Sequence, residues 1–452
     1  MNGSECRNNK QTVSGACHLN IQKKNEAKMK TKTMLAATLL LAGLAGAPSI
    51  RADMVTDWNQ ILLRAEHVAD VSPPAGGRAG ALVQSAVFDA VNGIERRYQP
   101  IRVAPNAPRR ASRAAAAARA AYTMLVHLYP AQKPDFDADL ARSLASLLDE
   151  DEDGDDRAIL RGVVWGQTVA DAIWAWRSTD GFTSPPPPFL GGTDVGEWRP
   201  TPPDFSPGGA VQFATMPPWA MLSPSQFRPD GPPALTSDRY AADFNEVKCL
   251  GGAISALRTD DQLLAAKFWD SANGAYFWNS LALRLVAQRH ASLLQNARLF
   301  ALLNMAMADA RIACWDAKYT YVFWRPITAI QLAATDGNPA TLEDVSWTPS
   351  LGGTPNHPDY PSGHSTESGA AAAVLAHFFG EQTQFIMDSD WMPGVTRSFS
   401  SFSAATEEVN SARIIGGIHF RSACEDGRAT GRKVSNYILR HAAQPVRGRA
   451  SH

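Results

Sequence analysis

Cysteine is scarce in this chain of 452 residues: there are five, and no two form a CxxC pair. That excludes a disulfide-stapled scaffold and a thiolate metal knuckle. An excess of either charge is also lacking, since 43 Lys+Arg face 44 Asp+Glu for a formal net charge of −1. So small a net charge gives no general grip on nucleic acid or an anionic membrane. Disorder is excluded by a composition that is 45% hydrophobic. Beyond residue 52 no apolar run reaches 18 residues. No stable membrane insertion of that part is expected.

Residues 1–52 read as a leader. Met29-Lys30-Thr31-Lys32-Thr33 is a short basic stretch, followed by the apolar run Met34–Ala47. Ala45-Gly46-Ala47 supplies the small residues of a cleavage site, and Ala52 a second one. The run is short for a bilayer, so a secretory signal over 29–52 is expected rather than an uncleaved anchor. The expected location is secreted or periplasmic, with translation starting at Met29. Without residues 1–52 the chain carries 35 basic and 42 acidic residues, a net −7. Cys249, Cys314 and Cys424 then remain, all expected as buried small hydrophobes.

The rest divides by composition into an N-terminal helical half (53–183), a connecting strap (184–236) and a C-terminal helical half (237–445). Ser112–Leu128 is alanine-dense, without proline or glycine. The acidic run Asp149–Asp156 resembles a calcium loop but has Leu160 where a bidentate Glu is needed, so it reads as a solvated loop. Residues 184–233 hold 14 of the 30 prolines, which excludes helix there. Trp198, Phe205, Phe213, Trp219 and Phe227 punctuate this stretch. A flexible linker would favour Gly and Ser, so an ordered strap is expected. Further helices are expected over 262–270, 275–317 (more than one), 366–379, 404–415 and 423–441, with no sustained strand alternation. The predicted fold is mainly α: two bundle-like halves joined by the proline-rich ordered strap.

Three segments of the second half share one electrostatic theme. In Lys318-Tyr319-Thr320-Tyr321-Val322-Phe323-Trp324-Arg325-Pro326 the two cations are seven apart, hence on one face if the stretch is helical. A guanidinium fork and an ammonium can converge there on one anion. In Pro361-Ser362-Gly363-His364-Ser365-Thr366-Glu367, Ser362 can donate a hydroxyl and Gly363 lets a backbone N–H approach a ligand. The helix that follows offers its N-terminal amides to an anion, and His364 a proton group near neutrality. In the third segment Gly416-Gly417 breaks the helix after Arg413 and re-aims His419. Ser422-Ala423-Cys424-Glu425 then reads as a capping box. Each segment alone fits a duller role: surface cations, a plain N-cap, a core histidine. The whole set, three cations, several donors and two imidazoles, describes a pocket for a tetrahedral oxyanion.

K-x6-R-P, P-S-G-H and S-x-R-x5-H resemble the three motifs of the type 2 phosphatidic acid phosphatase and vanadium-dependent haloperoxidase superfamily. Upstream, Gln84–Asn92, Trp198–Pro203, Phe227-Arg228-Pro229 and Phe268-Trp269-Asp270 are similar to the soluble bacterial vanadium haloperoxidases. The chain departs from the pattern at Ala412, between Ser411 and Arg413, and at Ala423, where some members carry Asp. The resemblance implies vanadate as cofactor, bonded by His419 and held by Lys318, Arg325, Ser362, Gly363 and Arg413. It implies His364 as acid–base, Lys318 in catalysis, Asp270 behind Arg413, and Trp315 and His357 lining the pocket. Hydrogen peroxide, halide and a small organic acceptor are the implied partners. Bromide or iodide is expected because His357 stands where chloride-preferring members have Phe. Two alternatives stay open on the motifs alone. One is an acid phosphatase, with phosphate in the same site and a phosphohistidine at His419. The other is an inactive oxyanion binder.

Overall fold

In the computed structural model the described residues are 53–149, 156–184 and 186–446, all within one compact unit, Ala52–His452. The expected leader and most of the acidic run lie outside the described residues. Among those described there are thirteen α-helices and a single β-hairpin. No described helix is long and apolar enough to cross a membrane.

The N-terminal layer comprises α1 (Met54–Val68), α2 (Pro73–Glu95), α3 (Arg113–Leu128), α4 (Lys133–Asp149) and α5 (Asp156–Arg177). Ser112 caps α3 by accepting the Ala115 N–H, and its alanines let α2 and α5 pack closely on either side. Next come α6 (Asp238–Leu250), α7 (Asp260–Asp270), α8 (Gly274–Ala287) and α9 (Leu293–Tyr321). The stretch 275–317, expected as more than one helix, is divided at Gln288–Ser292. Ser292 and Gln295 form the capping box that starts α9. From Leu299 to Lys318 every residue of α9 is buried, as expected of a helix surrounded by others. Packed against it are α2 and α11 (Gly363–Phe379), and α11 in turn packs on α13 (Arg421–His441). That last crossing is close enough that a Cβ on Gly431 would lie 2.0 Å from the Thr366 carbonyl oxygen. Between them lie α10 (Pro326–Gln331), β1 (Phe385–Asp388), β2 (Thr396–Phe399) and α12 (Phe402–Ile415).

Two expectations need correction, and one short element was not anticipated. The antiparallel hairpin β1–β2 pairs Phe385 with Phe399; its four-residue strands are too short for alternation to be visible in the sequence. The Ser422–Glu425 capping box is not made: α13 starts at Arg421, and the Ser422 N–H donates to Asp243 Oδ2 (3.0 Å) on α6. A tertiary carboxylate has replaced the local cap. Cys314 and Cys424 are buried, but Cys249 is only half-buried.

The proline-rich stretch is irregular apart from a short 3-10 turn, Val211–Ala214. Trp198, Phe213 and Trp219 are buried, whereas Phe205 is 62% exposed. Order comes from α9. The buried Asp309 carboxylate accepts the backbone N–H groups of Trp219, Ala220 and Met221 at 2.6, 2.9 and 2.9 Å. The Gly209 carbonyl accepts from Trp315 Nε1 and Tyr319 Oη. Substituting Asp309→Ala strands three donors, two of them buried, and is expected to cost ~3–5 kcal/mol. Denaturant melts should show that loss, and limited proteolysis should cut first within 186–236.

A candidate oxyanion-binding active site

Lys318 sits in the last turn of α9. Val322 then adopts a left-handed conformation (φ 48°) that ends the helix, and Arg325 becomes the N-cap of α10 with Pro326 next. The two cations therefore do not share a helical face, as the seven-residue spacing had implied. Tertiary contacts unite them instead. Lys318 Nζ donates to the carbonyl oxygens of Pro358 (2.6 Å) and Asp359 (3.0 Å). Arg325 donates to His357 O, Pro355 O and Ile418 O at 2.8, 3.2 and 2.7 Å. It also meets two imidazoles, His357 Nδ1 at 2.8 Å and His419 Nε2 at 3.1 Å. Arg325 thus ties loop 355–359 to the turn before α13.

Arg413, in the last turn of α12, is fully buried. Its Nη2 donates to Asp270 Oδ1 at 3.0 Å and its Nη1 to the Trp269 carbonyl at 3.5 Å. Gly417 (φ 76°) turns the chain back; a Cβ there would lie 2.2 Å from the Gly251 carbonyl oxygen. Ile418 then donates to the Arg413 carbonyl, so the Gly-Gly turn closes on Arg413 and delivers His419.

Ser362 is the N-cap of α11: its Oγ accepts the Ser365 N–H, leaving its own proton to donate. The Ser362 N–H in turn donates to the carbonyl of Ala423 at 2.8 Å. Gly363 opens the helix, and a Cβ there would meet Arg311 Nη1 at 3.0 Å and Trp315 at 3.3 Å. Trp315 faces the His357 ring at 5.0 Å. His364 follows and, like His357, is partly exposed, whereas His419 is buried.

Three residues of the site have no assigned role in the sequence reading: Asp359, Arg311 and Glu367. Asp359 Oδ1 lies 2.9 Å from His419 Nδ1, close but off the line of a good hydrogen bond. Arg311 pairs with Glu367. A signal for Arg311 exists, since it precedes Lys318 by seven residues in a continuous helix and so shares its stripe. Asp359, in a proline-flanked loop, has none.

Burial governs the electrostatics. It lowers Lys318 to about 7 and Arg325 to about 10, neighbouring cations adding to the effect. Burial raises Asp359 to about 7, against the pull of Arg325 and Lys318. His357, His364 and His419 are held well below their ordinary range, by burial first and by surrounding cations next. All three rings are therefore neutral at pH 7. Several buried donors have no protein partner, among them Arg413 Nε, Arg311 Nε and Ser365 Oγ. The acceptors Asp359 Oδ1, Asp359 Oδ2 and Glu367 Oε1 are likewise buried without a protein partner, so the site is built around groups that lie outside the chain's own hydrogen bonding. Among the described residues no three His, Cys, Asp or Glu side chains converge as a metal-cation cage would require.

Anion binding demands the charged form of Lys318, so it must be accompanied by proton uptake above pH 7. Sulfate does not titrate in that range. Its affinity for the apoprotein is expected to weaken by up to about tenfold per pH unit between about 7 and 9. Calorimetric titration checks this, and a flat profile would remove Lys318 from the anion's contacts.

Comparison with known proteins places this geometry. Residues 298–448 match the family model for the VCPO second helical-bundle domain. A vanadium chloroperoxidase from Curvularia inaequalis is 34% identical over 94 residues, 18% of this chain and 14% of that protein. The similarity thus spans about one seventh of that curated relative's length. The structure of a bacterial vanadium-dependent iodoperoxidase superposes with a TM-score of 0.70 at 26% identity, covering 86% of this chain and 96% of that one. A holo-type bacterial vanadium-dependent chloroperoxidase gives a TM-score of 0.64 at 16% identity, covering 88% and 95%, which shows a shared fold. With the three motifs gathered into one cationic pocket, the chain carries the second helical-bundle domain of the vanadium haloperoxidases over 298–448 and shares its fold with bacterial vanadium-dependent haloperoxidases over most of its length.

Proposed function

We propose that the protein is a vanadate-dependent haloperoxidase, oxidising halide with hydrogen peroxide to hypohalous acid that halogenates a small organic acceptor. The observation that carries this reading is the buried pocket of Lys318, Arg325 and Arg413 around two neutral imidazoles, His364 and His419. The residues fit vanadate. The unpartnered Arg413 Nε and the free proton of the Ser362 hydroxyl suit anionic oxygens, and the absent Cβ at Gly363 leaves the first amides of α11 approachable. When bound, vanadate supplies a Lewis-acidic centre that activates peroxide toward halide.

The chain's own groups divide the remaining work. Lys318, Arg325, Arg413, the Ser362 hydroxyl and the Gly363 N–H hold and polarise the oxyanion oxygens. Asp359 beside His419 Nδ1 favours the tautomer with its proton there, keeping Nε2 as the lone-pair atom. Nε2 rests against Arg325 Nη1 at 3.1 Å and is the atom that would hold vanadium. His364, neutral and partly exposed, takes a proton from hydrogen peroxide and returns one later. Asp270 and the Trp269 carbonyl fix Arg413. Trp315 and His357 line the pocket beside Arg325, a polar wall consistent with bromide or iodide in preference to chloride. The likeness to an iodoperoxidase supports the same preference. The basic and apolar stretches over 29–52 support export to the periplasm or medium.

Halogenation of a phenol-type dye with peroxide, before and after orthovanadate, tests the function across iodide, bromide and chloride. Activity indifferent to vanadate, with robust aryl phosphate hydrolysis, would favour the phosphatase instead. His419→Ala is expected to abolish stable vanadium retention by elemental analysis. His364→Ala should retain vanadium and lose turnover by ~100-fold or more. Asp359→Asn should weaken retention by ~10–100-fold.

A further inference from the structure

We propose that Arg311 is a fourth cation of the oxyanion site, contacting the bound anion directly, and that Glu367 is the positioning residue that aims it. This rests on the reading of the pocket as an oxyanion site.

Arg311 lies two helical turns before Lys318 on α9, and its side chain is 2% exposed. Its Nη1 stands 3.0 Å from the position a Gly363 Cβ would take, so the guanidinium lies beside the first residue of α11. A Cβ at residue 363 would press on that guanidinium. The guanidinium stacks over Trp315 at 5.1 Å, and Lys318 Nζ approaches the same ring at 5.8 Å. One aromatic ring therefore orders both cations. Glu367, fully buried one turn into α11, accepts from Arg311 Nη2 and fixes the rotation of the fork.

The pair is not closed on itself. Arg311 Nε and Glu367 Oε1 are both buried without a protein partner. A purely structural buried ion pair is stable only when its remaining donors and acceptors are satisfied. Here one carboxylate oxygen holds one edge of the fork while Nη1 stays at Gly363, beside the Ser362 and His364 positions. Arg311 is also among the cations that depress Lys318, His357 and His364. Its charge therefore reaches the same space as that of Arg325 and Arg413.

Direct binding of orthovanadate and inorganic phosphate to apoprotein, followed by calorimetry, tests this without reference to turnover. Arg311→Gln combined with Glu367→Gln removes both charges while keeping a hydrogen-bonded pair. It is expected to weaken both oxyanions by ~10–100-fold, the effect of losing one charge-assisted contact. Arg311→Lys keeps the charge but cannot serve Glu367 and the anion together, and should lose ~3–10-fold. Glu367→Gln alone should fall in that same range, and an unchanged affinity would leave Glu367 no positioning role. Circular dichroism and thermal melts establish which variants fold. Vanadate affinity within twofold of wild type in the double variant would overturn the proposal. Should the double variant not fold, the same result for Arg311→Lys overturns it. Wild type that binds vanadate tightly but oxidises no halide would refute the proposed function and leave this inference standing. Wild type that binds neither oxyanion overturns both.

Discussion

The interaction on which the rest of the structure depends is the burial of positive charge around Arg325. Moving a guanidinium or ammonium out of water is costly, and the cost rises when like charges share the site. The fold meets it with backbone carbonyls rather than with carboxylates alone. Pro355, His357, Pro358, Asp359 and Ile418 all turn their oxygens toward Lys318 or Arg325. A carbonyl dipole solvates a cation without cancelling its charge, so the pocket stays positive. The smaller core cluster around Tyr240, Phe323, Trp324, Trp347 and Phe420 packs around this carbonyl-rich loop and turn.

The same constraint sets the protonation of the site. Positive charge and burial together keep His357, His364 and His419 neutral. A neutral imidazole offers a lone pair, which is what bonding to vanadium and acceptance of a peroxide proton both need. The burial that lowers Lys318 toward neutrality leaves the fold able to accept an anion and a proton together. Carboxylates enter sparingly: Asp359 beside one imidazole, Asp270 and Glu367 each behind one arginine. Asp270 and Glu367 each leave the Nε of their arginine unpaired.

Much of the candidate site was legible because its motifs are local. Ser362, Gly363 and His364 are consecutive, and their position before an alanine-rich helix marks an N-terminus. Gly416-Gly417 announces the turn that carries His419. Illegible features had non-local causes. The Val322 helix end is met by the strap, where the Trp198 backbone N–H donates to the Val322 carbonyl at 2.6 Å. The cap of α13 was lost to Asp243, far away in sequence. Asp359 is an unremarkable loop aspartate until the fold sets it against His419.

The sequence by itself determined that the chain is mainly helical, because alanine density, apolar periodicity and capping residues are properties of neighbours along the chain. It determined too which residue types could hold an oxyanion, since a run such as Pro361–His364 carries its own donors and its own helix start. Only tertiary structure decided that Lys318 and Arg325 meet across a broken helix. It alone brought Arg311, Asp359 and Glu367 into the same pocket. The reason is that burial, and with it the shifted protons and unpaired donors of the site, is made by elements 40 to 144 residues apart closing over one another.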